Sequence, residues 1–316
     1  MSSATWLGKG IVVLAGLSLG VWAQGNGNGG GEFAPQGKGV HTLNNPGNGN
    51  GNDNGLAKPG GQRPGTNGIS YHGGPVMVGT VTTYAIFWEP TGSYVSPTYN
   101  SLILQYFQDV GRSPLYHNNR QYANARNMHP TNSVLGGSWV DTRPYPGSEL
   151  HEVDIQQEVM LAMQTNGWTP SIHKLFIVLA AKGEIMCTDL DGFGCVFINT
   201  LCAWHNFMGN NTIYAVEPYA GTDLSLCGVP SSPNHDFDAD STINLITHEQ
   251  FEAATDPFFD AWYGPGGNYH DEISDKCVWQ FGPPNRYDGD VVWHGHPYEV
   301  QLEWDNATSS CVLKGP

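Results

Sequence analysis

Residues whose types and spacing suit chemistry are concentrated in one short stretch, ITHEQFEAATDP, at positions 246–257. If this stretch is helical, His248, Glu252 and Asp256 follow one another at a spacing of four and share one face, with Glu249 about a quarter turn away. Two interpretations fit this arrangement. It is either a metal and acid-base site or the solvated face of an ordinary helix.

The residues around this stretch favour the first interpretation. Apolar side chains flank the polar positions on several sides, at Leu245, Ile246, Phe251, Ala253 and Ala254. A helix that is apolar nearly all round is buried, and buried carboxylates need cations or hydrogen-bond donors. The alternative is chance, because a chain with 29 Asp and Glu residues places carboxylates near a histidine without any function.

The pattern matches the first half of the HExxH metallopeptidase helix, in which two ligands one turn apart bind zinc and the adjacent glutamate acts on metal-bound water. Here the fifth position is Glu252, so the motif is HExxE. A carboxylate also ligates zinc, but it favours harder ions such as Mn²⁺ or Ca²⁺ more than imidazole does. We therefore expect His248 and Glu252 to hold Zn²⁺, with Mn²⁺ or Ca²⁺ as alternatives, and Glu249 to act as the catalytic base.

A further ligand must come from elsewhere, and the candidates are Asp256 and Glu272. Glu272 lies 24 residues after His248, and Asp275 follows it by three residues. This order is similar to that of the thermolysin-like gluzincins, where a downstream glutamate ligates the metal and a later aspartate orients the first histidine. The glycine-rich turn at 264–267 indicates a loop here in place of a long helix. With both candidates included, the expected metal ligands are His248, Glu252, Glu272 and Asp256.

Other histidines are candidates as well. His205, in the segment Cys202-Ala-Trp-His205, is predicted to ligate the metal or to stabilise an oxyanion as a catalytic residue. The alternative is a histidine whose ring is satisfied by backbone groups beside a disulfide. His294 and His296 alternate along a possible strand, which predicts a metal-binding pair or a plain surface pair.

The elements that must position these residues follow from the hydrophobic pattern. Strand and helix patterns alternate, which predicts an α/β fold with a mixed sheet flanked by helices, a zincin-like active-site helix and a disulfide-stabilised, loop-rich C-terminal part. Ser96 and Pro97 are predicted to start the first helix. The predicted strands are 79–88, 134–141, 174–181, 211–218, 291–293 and 299–304, and the predicted helices are 98–110, 150–166 and about 240–255.

The N-terminal part of the chain predicts export. Residues 1–23 combine Lys9 with a short apolar run and a small-residue end, which is typical of a secretory signal peptide. Residues 24–68 are rich in Gly and Asn and predict a disordered linker or a pro-region. Residues 69–316 are predicted to form a single domain, secreted and extracellular, with no membrane association after signal cleavage.

Cysteine usage and charge narrow the class of protein further. An oxidising compartment favours disulfides, and we expect Cys277 to pair with Cys311 while the other four cysteines pair among themselves in the 187–227 region. The formal net charge of −16 opposes the basic surface that nucleic acid requires, so nucleic acid is not an expected partner. The sequence leaves the oligomeric state open.

Several stretches together resemble a known family. YHGGPVMVGTVTTYAIFWEP at 71–90, the segment at 202–205, the strand NTIYAVEPYAG and the motif helix are similar to the phosphate-induced protein 1 or EXORDIUM-like family of secreted proteins. Plant members are apoplastic proteins associated with growth, and the resemblance implies no reaction. The HEQFEAATDP helix departs from the plant forms and looks closer to bacterial exported relatives.

Three functions follow as hypotheses. The main one is a secreted metal-dependent hydrolase, a zincin-like metallopeptidase acting on a peptide or protein substrate. The alternative is a non-catalytic EXORDIUM-like protein that binds an extracellular polysaccharide of a cell wall or surface through aromatic side chains, with Trp262, Tyr263, Trp279 and Trp293 as candidates. A glycosidase that uses Glu249 or Glu252 in a carboxylate pair is the third.

Overall fold

A six-stranded mixed sheet forms the centre of the protein, as seen in a computed structural model that describes residues 38–41, 68–187, 201–265 and 271–316. All described residues belong to one compact unit, Glu32–Pro316. The predicted signal peptide lies outside the described residues. So does the predicted linker or pro-region, except for residues 38–41 and Gly68.

The strands are β1 (Lys38–His41), β2 (Ser70–Tyr71), β3 (Gly79–Trp88), β4 (Pro130–Asp141), β5 (Glu149–Leu150), β6 (Lys174–Ala180), β7 (Ile185–Met186), β8 (Leu201–Met208), β9 (Thr212–Glu217), β10 (Trp262–Tyr263), β11 (Val291–Trp293), β12 (His296–Tyr298), β13 (Glu303–Asp305) and β14 (Ser310–Val312). The α-helices are α1 (Tyr99–Asp109), α2 (Glu152–Asn166), α3 (Leu224–Cys227) and α4 (Phe237–Thr255). Three short 3-10 helices lie at Tyr116–Gln121, Ala220–Thr222 and Asp275–Cys277.

The main sheet has the strand order β1, β8, β9, β6, β3, β4. β9, β6, β3 and β4 run parallel, whereas β8 is antiparallel to β9 and β1 is antiparallel to β8. The expected mixed sheet flanked by helices is therefore confirmed.

Both faces of the sheet are covered, because β6 alternates its apolar side chains between two cores. Leu175, Ile177 and Leu179 join the core that contains residues of α1 and α4. Phe176 and Val178 point the other way and join the core that contains residues of α2. This double burial is what the continuous apolar run KLFIVLA predicts for a central parallel strand.

Helix α4 begins earlier than the sequence pattern predicts. Asp236 is its N-cap, and the Asp236 carboxylate accepts a hydrogen bond from the Ala239 amide at 3.1 Å, so the helix starts at Phe237. The predicted start at about residue 240 is too late because Asp236 caps the open amides of an earlier turn. The C-terminal boundary is as predicted, since Asp256 precedes Pro257 and ends the helix.

Other boundaries differ as well. Strand β4 begins at Pro130, four residues before the predicted 134, and β12 and β13 lie at either end of the predicted strand 299–304. Helix α1 starts at Tyr99, with Thr98 at its N-cap position, two residues after the predicted start at Pro97. Strand β8 was not predicted, although its residues are buried and it contains His205. Its sequence, LCAWHNFM, mixes polar and aromatic side chains. It lacks the strict alternation of apolar and polar residues that identifies a half-buried strand.

Disulfides connect parts of the chain near both ends of the motif helix. Cys277 pairs with Cys311, as predicted, and Cys202 pairs with Cys227 within the expected 187–227 region. Cys187 is also disulfide-bonded, whereas Cys195 lies outside the described residues. Among the described helices, no helix has the length and apolar character needed to cross a membrane.

Candidate metal centre

Helix α4 and strand β8 bring two histidines and two glutamates together at full burial. His205 Nδ1, on β8, lies 3.0 Å from Glu249 Oε2 and 3.6 Å from Glu252 Oε2. His248 Nε2 lies 3.0 Å from Glu252 Oε1 and 3.5 Å from Asp275 Oδ1. We call these five residues the His/carboxylate cluster.

The cluster consists of two overlapping sets of possible ligands. His205, Glu249 and Glu252 form one set, and His248, Glu252 and Asp275 form the other, with the ligand atoms of each set within 4.8 Å of one another. Glu252 belongs to both sets, so its two carboxylate oxygens face different histidines.

A third group of possible ligands lies elsewhere in the described chain, at Glu149, His151 and Cys187. Cys187 is disulfide-bonded and offers no thiolate. This group therefore lacks the strongest of its three donors.

Hydrogen bonds fix the orientation of the His248 ring. Gln301 Oε1 lies 3.2 Å from His248 Nδ1, while Gln301 Nε2 donates to the carbonyl of Ser274 at 3.0 Å. Because the Gln301 amide uses its nitrogen for Ser274, its oxygen faces the ring and accepts from Nδ1–H. The Nε2 lone pair of His248 then points towards Glu252 and Asp275, which is the arrangement that outer partners give to metal-binding histidines.

Asp275, which the sequence assigned to orienting His248, lies close to both His248 and Glu252. Asp275 reaches His248, and its backbone amide donates to Glu252 Oε1 at 3.2 Å, while the Glu272 amide donates to Asp275 Oδ2 at 3.0 Å. In the described part of the chain, Glu272 is in neither ligand set, although it is buried. Glu272 as a metal ligand therefore stays a prediction, in the same loop as Asp275.

Asp256 is also outside both ligand sets of the described chain. Its Oδ1 accepts a hydrogen bond from the Ala261 amide at 2.7 Å, which holds the turn that follows α4. At the C-cap, Asp256 has a φ of −145° and a ψ of 59°, which are not helical and take it off the face on which the spacing of four had placed it. The geometry gives it a contact that shapes the turn.

Burial and mutual charge set the proton affinity of the centre. Burial raises the pKa of Glu249 well above its usual value, and Glu252 and Glu217 raise it further while His248 opposes them. Burial alone would lower the pKa of His248, but Glu252 and Asp275 outweigh it and raise that pKa well above the usual range. Such a centre holds protons at the positions that a cation would take over.

Glu217, the last residue of β9, adds a carboxylate to the same interior. It is fully buried, and within the described residues neither of its oxygens has a hydrogen-bond partner. Burial raises the pKa of Glu217 well above its usual value, and the charge of His248 partly opposes the rise. A buried carboxylate near a histidine, with no donor, needs either a proton or a nearby cation.

The donor set suits a transition metal better than calcium. Each set offers one imidazole nitrogen and two carboxylates, a combination that suits zinc or manganese, whereas calcium takes six to eight oxygen ligands. The expected ligands His248 and Glu252 lie in the cluster, joined by His205 and Asp275.

The aromatic and surface candidates are more dispersed. Trp279 and Trp293 are buried, with 8% and 5% of their surface exposed, so they cannot stack on sugar rings as expected. Trp262 and Tyr263 are partly exposed, and the Tyr263 ring stacks on His72 with ring centroids 3.6 Å apart. His294 and His296 both contact the buried Asp109, at 3.1 and 2.6 Å.

The fold and the site define a mixed α/β protein with a buried histidine and carboxylate centre on its motif helix. Among known proteins, the chain is 24% identical over 286 residues to Protein EXORDIUM-like 3 of Arabidopsis thaliana. The aligned region covers 77% of this chain and 82% of that protein. It is 22% identical over 244 residues to Protein EXORDIUM-like 5 of the same plant, covering 68% of this chain and 65% of that protein. No family model and no solved structure matches the chain.

Both relatives support a loose similarity to EXORDIUM-like proteins over most of the sequence. The expected resemblance is therefore confirmed at this coarse level. The chain spans just under two thirds of the second relative's length.

Proposed function

We propose that the protein is an extracellular, EXORDIUM-like binding protein, of the bacterial exported type, whose His/carboxylate cluster holds a divalent cation, Zn²⁺ or Mn²⁺. One observation carries this proposal. His205, His248, Glu249 and Glu252 are fully buried and, with Asp275, form two overlapping sets of three possible ligands. Buried carboxylates at such distances repel one another unless a proton or a cation lies between them.

The disulfides support the extracellular assignment. Cys202–Cys227 and Cys277–Cys311 are the kind of bridge that persists in oxidising compartments. The predicted signal peptide and the similarity to EXORDIUM-like proteins point the same way.

Burial favours a structural role for the cation over turnover. His205, His248, Glu249 and Glu252 have no exposed surface, so a substrate cannot reach them in this conformation. A cation in the set with His205 would connect β8 to α4, and a cation in the set with His248 would connect α4 to the loop at Asp275. Removal of the cation would leave several buried carboxylates facing one another, so binding of the metal stabilises the folded state.

The test is the metal content of the purified mature protein. Wild type, His248→Ala and His294→Ala are dialysed without chelator and measured by elemental mass spectrometry. His294 is the matched control, because its side chain is 65% exposed and lies outside the cluster. We expect zinc or manganese in wild type and in the His294 variant but not in His248→Ala. Absence of metal from all three would refute the proposal.

A metal-dependent hydrolase is the second candidate, favoured by the 3.0 Å contact between His205 and Glu249. A bound cation would polarise a carbonyl and acidify a water molecule. Glu249 would accept the proton of that water, and His205 would stabilise the developing oxyanion. In this zincin-like hypothesis, Glu249→Gln keeps the metal and loses peptide hydrolysis. An unchanged rate of hydrolysis in that variant removes Glu249 from the reaction.

Carbohydrate binding is the partner hypothesis for the non-catalytic function. Trp262 packs against Tyr71, with ring centroids 5.5 Å apart. It is partly exposed, as is the adjacent Tyr263. Its Nε1 donates to the carbonyl of Ala123, which fixes the ring in place. We expect Tyr263→Ala to weaken binding to insoluble polysaccharide in a pull-down assay. The buried Trp279 is no longer a suitable probe.

A further inference from the structure

The strand that carries His205 is paired on its outer side by a short segment from the N-terminal part of the chain. β1 runs antiparallel to β8, with Lys38 opposite His205, Gly39 opposite Trp204 and Val40 opposite Ala203. The Cα atoms of β1 also come within 8 Å of those of α4. Residues 38–41 therefore lie beside the elements that form the metal centre.

Without β1, β8 would be the edge strand of the main sheet. An edge strand presents a row of unpaired N–H and C=O groups, which is the template that extended peptides use when they add a strand to a sheet. The outer side of β8 therefore has the chemistry of a peptide-binding edge.

The pairing of β1 is short and irregular, which suits an exchangeable occupant. It spans four residues, contains Gly39, and shifts register between Val40 and His41. A glycine weakens a strand, and a register irregularity interrupts its ladder. By contrast, β3 pairs with β4 over ten residue pairs in the centre of the sheet.

We propose that β8 is a binding edge for an extended peptide segment of a partner protein, and that residues 38–41 are its built-in occupant. The partner segment would pair antiparallel to β8 and place one of its residues opposite His205, where Lys38 lies in this structure. The proposal deepens the proposed function, on which it rests only for the identity of the adjacent metal centre. Both the partner segment and residues 38–41 would bind β8 through main-chain hydrogen bonds.

Tethering gives β1 an advantage over a free peptide. A segment that belongs to the same chain acts at an effective concentration of about 1 mM when the connecting residues span the distance. If the same segment as a free peptide binds the open edge with a dissociation constant of about 10 μM, the tethered copy weakens apparent peptide binding roughly 100-fold. The wild-type chain is then closed to weak ligands, and release of β1 opens it.

The test uses a variant of the full chain in which β1 cannot pair. Gly39→Pro combined with Val40→Pro removes two consecutive backbone N–H groups. Since alternate residues of an antiparallel strand face the neighbouring strand, at least one of the lost groups is a donor to β8. The matched control carries Asn48→Pro and Gly49→Pro, outside β1. The probe is a fluorescein-labelled peptide of residues 36–43, QGKGVHTL.

We expect the β1 variant to bind the labelled peptide at least tenfold more tightly than wild type or the control, as measured by fluorescence anisotropy. Hydrogen exchange should show faster exchange of β8 amides in the β1 variant, and added peptide should restore their protection. Equal peptide binding by all three proteins would overturn the proposal. So would loss of cooperative unfolding in the β1 variant, because β1 would then be a required structural strand.

Metal content, measured in the same preparations, separates this inference from the proposed function. Retained zinc with no gain in peptide binding overturns the peptide edge alone. If neither protein contains metal but the β1 variant still binds the peptide more tightly than wild type, the edge is supported and the metal centre is overturned.

Discussion

Replacing Glu252 by Gln tests the centre at its shared position. Glu252 Oε1 lies 3.0 Å from His248 and Glu252 Oε2 lies 3.6 Å from His205, so this side chain is the one carboxylate common to both ligand sets of the described chain. Glutamine keeps the size of the side chain and removes its negative charge. The substitution therefore isolates the contribution of charge from that of packing.

The expected effect is large because both histidines lose the same counter-charge. Removing one partner from a buried charged pair costs about 3–5 kcal/mol. Since every 1.4 kcal/mol is about a tenfold change in a binding constant, metal affinity should fall by at least about 100-fold. Competition against a chromophoric chelator measures this loss. Dialysed Glu252→Gln protein should contain no zinc or manganese by elemental mass spectrometry.

The control is Glu299→Gln, an identical change at another buried carboxylate outside both ligand sets. It should keep the metal content of wild type. If Glu252→Gln binds zinc as tightly as wild type and the control, the cluster does not hold the cation and the reasoning from its geometry fails.

Two further substitutions identify the set that is occupied. Glu249→Gln affects only the set with His205, and Asp275→Asn only the set with His248. Loss of metal in one variant alone assigns a single cation to that set. Loss of half the metal in each, with complete loss in Glu252→Gln, indicates two cations bridged by Glu252.

Three other measurements follow. Removal of the cation from wild type by a chelator should lower the midpoint of thermal unfolding by roughly 5–10 °C. A cation present at 100 times its dissociation constant contributes about 2.7 kcal/mol to the free energy of unfolding. An unchanged midpoint would argue against a bound ion. Burial, then the charge of Asp290, raises the pKa of Glu299 to about 8, so the protonated form favours folding and this stability is lost as pH rises from about 4.5 to 8. Glu299→Gln should be more stable than wild type at pH 8.5, by at least about 2 kcal/mol and at most about 5, and equal to it at pH 4, as measured by urea unfolding. Replacing Cys277 and Cys311 by Ser should lower the free energy of unfolding by about 2–4 kcal/mol. It should also weaken metal binding, because the disulfide anchors the chain two residues from Asp275. Unaltered metal affinity would show that other contacts hold the loop.

The parts of the fold that the sequence predicts are those with strong local periodicity. β3 and β11 have the predicted bounds, and β6 and α4 end within one residue of them. The apolar run of β6 and the Asp256-Pro257 stop signal are local features, so a window of a few residues contains them. By contrast, Asp236 caps α4 from outside the periodic segment, and local pattern does not separate it from the other acids nearby.

The candidate site divides along the same line. The pair His248 and Glu252 belongs to one helix, and a spacing of four brings the two side chains together without any knowledge of the fold. His205 and Asp275 arrive from distant parts of the chain, 43 residues before and 27 residues after His248. Their positions depend on how β8 pairs with β9 and on how the loop at 271–277 packs, which no local pattern contains. His205 became a candidate because it lies in the segment that begins at Cys202. Asp275 was predicted to orient the first histidine and not to bind a metal.

The burial of α4 explains why the motif is more than a face of polar residues. Every residue from Ala239 to Thr255 is buried, so its polar side chains have no access to bulk water. Some are satisfied by neutral partners, as where Gln250 donates to Ser133 at 2.9 Å and accepts from Tyr106. His248, Glu249 and Glu252 instead face one another and His205, and a neutral hydrogen-bond network of this kind needs added protons. Under the proposed function, a divalent cation would replace those protons and connect α4 to β8 or to the loop at Asp275.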